Sequence, residues 1–184
     1  GGAIAARAWW LLKWLGHQEA ALLDGGLPAW RAGNYPLEMD AAEPETRAYV
    51  GHPGQRGVYD TAAIEVGLCD GTIVLLDARD EKRFRGRQEP IDTVAGHVPG
   101  AINAPFQHNL SADSRFRSAM ALTELYAPMI GKRPADQVVC MCGSGVTACH
   151  NIFAIELCGY ESPSLYVGSW SEWVRSGDRP VVTA

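Results

Sequence analysis

The chain lacks an apolar run long enough to cross a membrane. Trp9 to Leu15 comes nearest, but it is short and Lys13 interrupts it. It also lacks a Cys-x-x-Cys pair, and His150 is adjacent to Cys149 rather than at a ligand spacing, so no metal site or cofactor is expected. Positive charge is not in excess: 16 Lys and Arg against 21 Asp and Glu leave −5 at pH 7. That balance argues against nonspecific nucleic-acid binding. No signal peptide is visible, and the start, Gly1-Gly2-Ala3, has no methionine, as a processed or engineered end would. The 184 residues are 47% apolar and 20% charged. They suffice for one α/β domain with a remainder. The five cysteines are odd in number and four of them crowd into the stretch Cys140 to Cys158. Reduced thiols in a cytoplasmic protein account for this better than a disulfide framework.

The most informative stretch is Cys142-Gly143-Ser144-Gly145-Val146-Thr147. The apolar run Gln137 to Met141 before it reads as a buried strand, and the apolar spacing after it, from Thr147 to Cys158, as a helix. A cysteine is thus placed at a strand exit, before a glycine loop and a helix N-terminus. Glycines let successive backbone N–H groups converge on one point, and the helix end adds unpaired N–H groups. An anion is stabilised there, and the thiolate is the reactive form of cysteine.

An internal repeat organises the rest. Gly16, Leu22, Gly25 and Trp30 correspond to Gly159, Leu165, Gly168 and Trp173, and Trp10, Leu12 and Leu15 to Phe153, Ile155 and Cys158. One inserted residue later, Gly33 and Pro36 meet Gly177 and Pro180. Each copy reads helix, Gly turn, short strand, Gly, helix ending in Trp, Gly and Pro, a pattern of tandem domains. The first copy has no counterpart of Ile73 to Thr147. Residues 1–38 are therefore expected to be the tail of a first domain, with Trp9, Trp10 and Trp14 facing that domain's absent sheet. Residues 39–57 read as a Pro- and Gly-rich linker and 58–184 as a second domain.

In that second domain Asp60 or Thr61 can cap a helix reaching about Leu68. Thr72 to Ala78 reads as a buried strand, 79–86 as a loop and short helix, and 87–100 as a long excursion. Then come a short strand at 101–103, an amphipathic helix at 118–130, the strand at 137–141, the cysteine loop, a helix at 147–158, a strand at 164–167 and a helix at 170–175. Strands alternating with helices predict an α/β fold, a mostly parallel sheet with helices on both faces. Its ligand site belongs at the carboxyl ends of the strands.

Four ordered motifs resemble the rhodanese family. They are Leu76-Asp77-Ala78-Arg79 with Arg83-Phe84, Gly96-His97-Val98-Pro99-Gly100-Ala101-Ile102-Asn103, the cysteine loop, and Gly168-Ser169-Trp170-Ser171-Glu172-Trp173. More narrowly, they resemble the catalytic second domain of tandem-domain thiosulfate and 3-mercaptopyruvate sulfurtransferases. The resemblance implies that Cys142 is the nucleophile and carries a persulfide, with the N–H groups of Gly143, Gly145, Val146 and Thr147 around the charged sulfur. Ser144 would bond the substrate or relay a proton, or instead bond its own backbone. Arg79 and Arg83 would anchor a substrate carboxylate, or form structural ion pairs with Asp77 or Glu81. Thr147 is expected to cap the helix, His97 to be a buried histidine bonded to backbone, His150 to be structural, and Cys140, Cys149 and Cys158 to fill core space.

Family members preferring mercaptopyruvate carry the Gly-Ser-Gly-Val-Thr loop found here, whereas those preferring thiosulfate have Arg-Lys in place of Gly143-Ser144. The resemblance thus implies a small-molecule sulfur donor, 3-mercaptopyruvate before thiosulfate, and a thiol acceptor such as thioredoxin, or cyanide. It also implies that a first domain closes over the cleft, so the polypeptide alone is expected to be weakly active. Two rivals are a Cys-x5-Arg phosphatase, disfavoured because Ala148 stands where the arginine would be, and a noncatalytic sulfur-relay module.

Overall fold

In a computed structural model of the chain, residues 2–39, 46 and 48–183 are described. Five strands form one sheet: β1 (Val58–Tyr59), β2 (Val74–Asp77), β3 (Ile102–Asn103), β4 (Val138–Met141) and β5 (Ser164–Tyr166). Their spatial order is β1-β5-β4-β2-β3, and every pair is parallel. All carboxyl ends therefore open on the same side. The central strands β2 and β4 are buried throughout, as strands covered on both faces are, and all their residues but Asp77 are apolar.

The period of two divides their side chains between two layers. Val74, Leu76, Val138, Cys140 and Cys142 face a core built with Ala6, Trp9 and Trp10, with Leu122 and Tyr126, and with Ile152 and Ile155. Those residues come from α1 (Ala3–Trp14), α5 (Ala119–Ile130) and α6 (Val146–Leu157). Leu75, Val139 and Met141 face the other core, with Ile64 of α3 (Thr61–Cys69) and Trp170 and Trp173 of α7 (Ser169–Trp173). The helix starts follow local chemistry: Asp60 and Ser118 accept the N–H groups of Ala63 and Ala121, and Asp80 caps the short α4 (Glu81–Phe84).

The repeat persists in three dimensions. Gly16 and Gly159 follow α1 and α6 with φ of 88° and 85°. The indole N–H of Trp30, in α2 (Gly26–Ala32), donates to Pro36 O at 2.9 Å, and that of Trp173 to Pro180 O at 3.0 Å. The left-handed residue matching Gly177 is Asn34, not Gly33, so the inserted residue falls just before Pro180. One expectation is corrected. The short strand of the first copy does not form among the described residues, because Leu22 and Leu23 have no neighbouring strand with which to pair. In this chain the tryptophan stripe packs on α6: Trp9 meets Phe153 edge-on at 4.8 Å and Arg56 lies over its ring. Conversely, β1 is a strand that sequence periodicity does not mark.

Of the expected linker, residues 40–45 and 47 lie outside the described residues. Its later part clamps α1: His52 N donates to Leu15 O at 2.7 Å and Gln55 N to Trp14 O at 3.1 Å. Arg56 pairs with Glu156 of α6.

Candidate active site

β4 ends at Met141, so Cys142 leaves the sheet at its carboxyl edge, 2% exposed. Gly145 is the N-cap of α6 and takes φ 74°. A Cβ there would also lie 2.8 Å from Val167 O, so both conformation and space require glycine. Among the described residues, the backbone N–H groups of Gly143, Ser144 and Gly145 meet no acceptor. Together with the first N–H groups of α6 they leave a run of donors of the kind that stabilises an anion. Ser144 is exposed at its rim, and Val146 and Thr147 are half-buried in the first turn. Thr147 is the second helical residue and makes no cap; Gly145 holds that position without a side chain, which corrects the capping expectation.

The carbonyls of the loop are held from below by the start of α7. Trp170 N donates to Cys142 O at 3.0 Å and Ser171 N to Gly143 O at 2.9 Å. The Ser169 hydroxyl accepts the Cys142 N–H at 3.1 Å and donates to Tyr166 O at 2.8 Å. Ser169 is fully buried with φ 53°, a left-handed conformation that its two hydrogen bonds sustain. Sequence reasoning assigned no role to Ser169 or Ser171. Serine at a left-handed position carries no sequence signal of the kind glycine or asparagine gives.

Arg79 and Arg83 separate sharply. The Arg79 side chain is 1% exposed. Its Nε and Nη2 grip Asp77 at 2.7–3.1 Å, Nη2 also reaches Gly96 O at 2.8 Å, and Nη1 meets Glu89 at 3.4 Å. The guanidinium lies 4.5 Å over the Trp170 ring. Arg79 thus makes the ion pair with Asp77 that was the alternative to a carboxylate anchor, and its side chain is almost closed to solvent. Arg83 is 13% exposed and both its terminal nitrogens lie 3.6 Å from where a Cβ on Gly143 would stand. It borders the cysteine loop. Its own partners are Glu89, at 2.6 and 3.1 Å, and Asp92, at 3.3 Å, neither of which was anticipated. Burial works to raise the Glu89 carboxyl, but Arg83 and the N–H groups of Asp92 and Ile91 outweigh it and hold it below the ordinary carboxylate range.

The other thiols differ from Cys142 in setting. Burial pushes Cys140 far up and Cys149 up to about 11, against a small opposing pull from Arg7. Both stay protonated at neutral pH and fill core space, as expected. His97 Nδ1 meets Phe84 O at 2.7 Å with its ring stacked on Phe84. His150 sits in a buried network with Asn109, which also binds Asn151 and Tyr126. Both histidines are structural.

A parallel α/β sheet with a cysteine in a glycine nest at its carboxyl edge defines a thiol-loop domain. The model of the rhodanese-like domain matches residues 63–176, and the chain belongs to the rhodanese family. It is 48% identical to a Pseudomonas aeruginosa protein named "Probable 3-mercaptopyruvate sulfurtransferase", over 99% of this chain and 64% of that one. It is 34% identical to the 3-mercaptopyruvate sulfurtransferase of Homo sapiens, over 92% and 57% of the two chains. It is 30% identical to the thiosulfate sulfurtransferase of Rattus norvegicus, over 95% and 60%. The chain thus spans roughly 60% of the length of these relatives. The wild-type structure of EanB shares the fold, with a TM-score of 0.85 at 21% identity over 98% of this chain and 44% of that one.

Proposed function

We propose that this domain is a sulfurtransferase that moves sulfur from 3-mercaptopyruvate, through a persulfide on Cys142, to a thiol acceptor. The observation that carries the reading is the set of N–H groups of Gly143, Ser144 and Gly145 beside Cys142, unengaged among the described residues. The Cys142 thiolate attacks the donor's sulfur; the C–S bond breaks and its electron pair passes to carbon, giving the enolate of pyruvate. The donor's S–H proton passes to that enolate carbon, with the exposed Ser144 hydroxyl as relay, and pyruvate leaves. The anionic outer sulfur rests in the nest. An acceptor thiolate then attacks that sulfur, takes it as its own persulfide, and returns Cys142 as thiolate. Arg83, at the loop's edge, is the group to meet the donor carboxylate. The names of the relatives support this chemistry for both mercaptopyruvate and thiosulfate. The loop contains no cation to meet a dianion, which favours the former.

The test is pyruvate release from 3-mercaptopyruvate in the presence of a small thiol, in the wild-type protein and in Cys142→Ser. Release that needs Cys142 supports the reading. Efficient use of thiosulfate with no pyruvate formed at any acceptor concentration refutes the choice of donor.

A further inference from the structure

Arg83 is the cation nearest Gly143, yet it does not stand alone. Its guanidinium donates to both oxygens of Glu89 and to Asp92. The surrounding cluster holds Arg79 and Arg83 against Asp77, Glu89 and Asp92, two positive charges against three negative. The acids are not loosely placed. Glu89 is 4% exposed and accepts the N–H groups of Ile91 and Asp92 at 3.1 and 3.2 Å. Asp92 accepts the Ser171 hydroxyl at 2.7 Å, and the N–H of that same Ser171 holds Gly143 O. Asp92 is therefore fixed to the element that fixes the cysteine loop. Another cation near the loop, Arg7, reaches toward Gly145 O and Cys149 Sγ.

We propose that Glu89 and Asp92 are specificity-determining residues, which compensate the charge of Arg83 so that the site takes monoanionic sulfur donors and disfavours dianionic ones. This rests on the reading of the Cys142 loop as the sulfur-carrying site. Arg83 Nη1, which makes no hydrogen bond among the described residues, remains for a carboxylate, but the field that would draw a second negative charge is cancelled at its source. Because Coulomb energy is linear in ligand charge, removing one acid multiplies the affinity for a dianion by the square of the factor for a monoanion. At an assumed separation of about 8 Å and an effective dielectric of about 45, that of a largely solvated site, the factor is about 5 for a monoanion and about 25 for a dianion.

The experiment is the rate of alkylation at Cys142 by iodoacetate relative to iodoacetamide, read by peptide mass mapping in the wild-type protein, Asp92→Asn and Glu89→Gln. Asparagine still accepts the Ser171 hydroxyl and glutamine the loop N–H groups, while the amide nitrogen replaces an oxygen that accepts Arg83, so each variant removes the charge and an Arg83 hydrogen bond at nearly constant shape. The ratio should rise about fivefold in each and shrink again in high salt, while kcat/KM for thiosulfate rises by the square of the gain for 3-mercaptopyruvate. A merely structural role would leave the ratio unmoved. An unchanged or lower ratio in a folded variant overturns the proposal, and the two variants make the same prediction should one fail to fold. If the wild-type protein forms no persulfide from either donor, the sulfurtransferase reading fails, while the alkylation ratio still decides the charge assignment.

Discussion

Replacing Ser169 separates two features of the site that coincide in one residue. Its hydroxyl satisfies the buried Cys142 N–H and binds Tyr166 O, and its backbone is left-handed at φ 53°. Ser169→Ala leaves a buried donor unsatisfied, a loss of about 1–3 kcal/mol. In a chain of this size that lowers Tm by about 3–10 °C. Ser169→Gly loses the same hydrogen bonds but relieves the left-handed penalty of about 1–2 kcal/mol. Glycine should therefore be more stable than alanine by about 1 kcal/mol, or about 2–4 °C. This inverts the usual order, in which alanine exceeds glycine by about 1 kcal/mol within a helix, although Ser169 is the first residue of α7. The assay is thermal unfolding followed by circular dichroism, with persulfide loading measured beside it. Both variants should load more slowly than wild type, because the Cys142 peptide loses its anchor. An alanine variant as stable as wild type, or more stable than the glycine variant, would refute the reasoning.

Three further outcomes follow from the packing and the charges. Trp10→Ala, which empties a 2%-exposed site between α1 and the sheet-facing helices, should cost about 3–5 kcal/mol in denaturant unfolding; a loss below about 1 kcal/mol would mean that α1 is not part of this core. Arg79→Leu should destabilise strongly by orphaning the buried Asp77, on the order of 3–5 kcal/mol. Arg83→Gln should instead raise the KM for 3-mercaptopyruvate with a smaller loss of stability, and the opposite ranking would return Arg79 to the substrate. Glu89 is held below its ordinary range, so its contribution is present above the unfolded carboxylate value and is lost as pH falls through the folded one. The acid limb of a Tm–pH profile should therefore flatten in Glu89→Gln; an unaltered limb would contradict the Arg83–Glu89 pairing.

The long buried strands and the cysteine loop were legible because their signals are local. Residues 73–76 and Val138–Met141 are uninterrupted apolar runs, Asp60 and Ser118 precede helical spacing, and two glycines flank Ser144. What was not legible depends on partners. Leu22-Leu23 and Leu165-Tyr166 have similar sequences, but only the second lies beside β1 and β4. Ala6, Trp9 and Trp10 announce a buried stripe without saying what covers it. Arg79 and Arg83 are four residues apart with the same chemistry, and their fates diverge because Glu89, Asp92 and Gly96 arrive from an excursion with no periodicity. The clamp of Ser169 and Ser171 on the loop depends on two segments far apart in sequence meeting at one sheet edge.

The central claim is that Cys142, alone among the five cysteines, carries sulfur. Its most direct test is the mass of each cysteine peptide after brief exposure to 3-mercaptopyruvate without an acceptor. The peptide holding Cys142 should gain one sulfur atom and lose it on addition of a thiol, while those holding Cys69 and Cys158 stay unchanged. A sulfur gained on another cysteine, or none on Cys142 with either mercaptopyruvate or thiosulfate, would contradict the account.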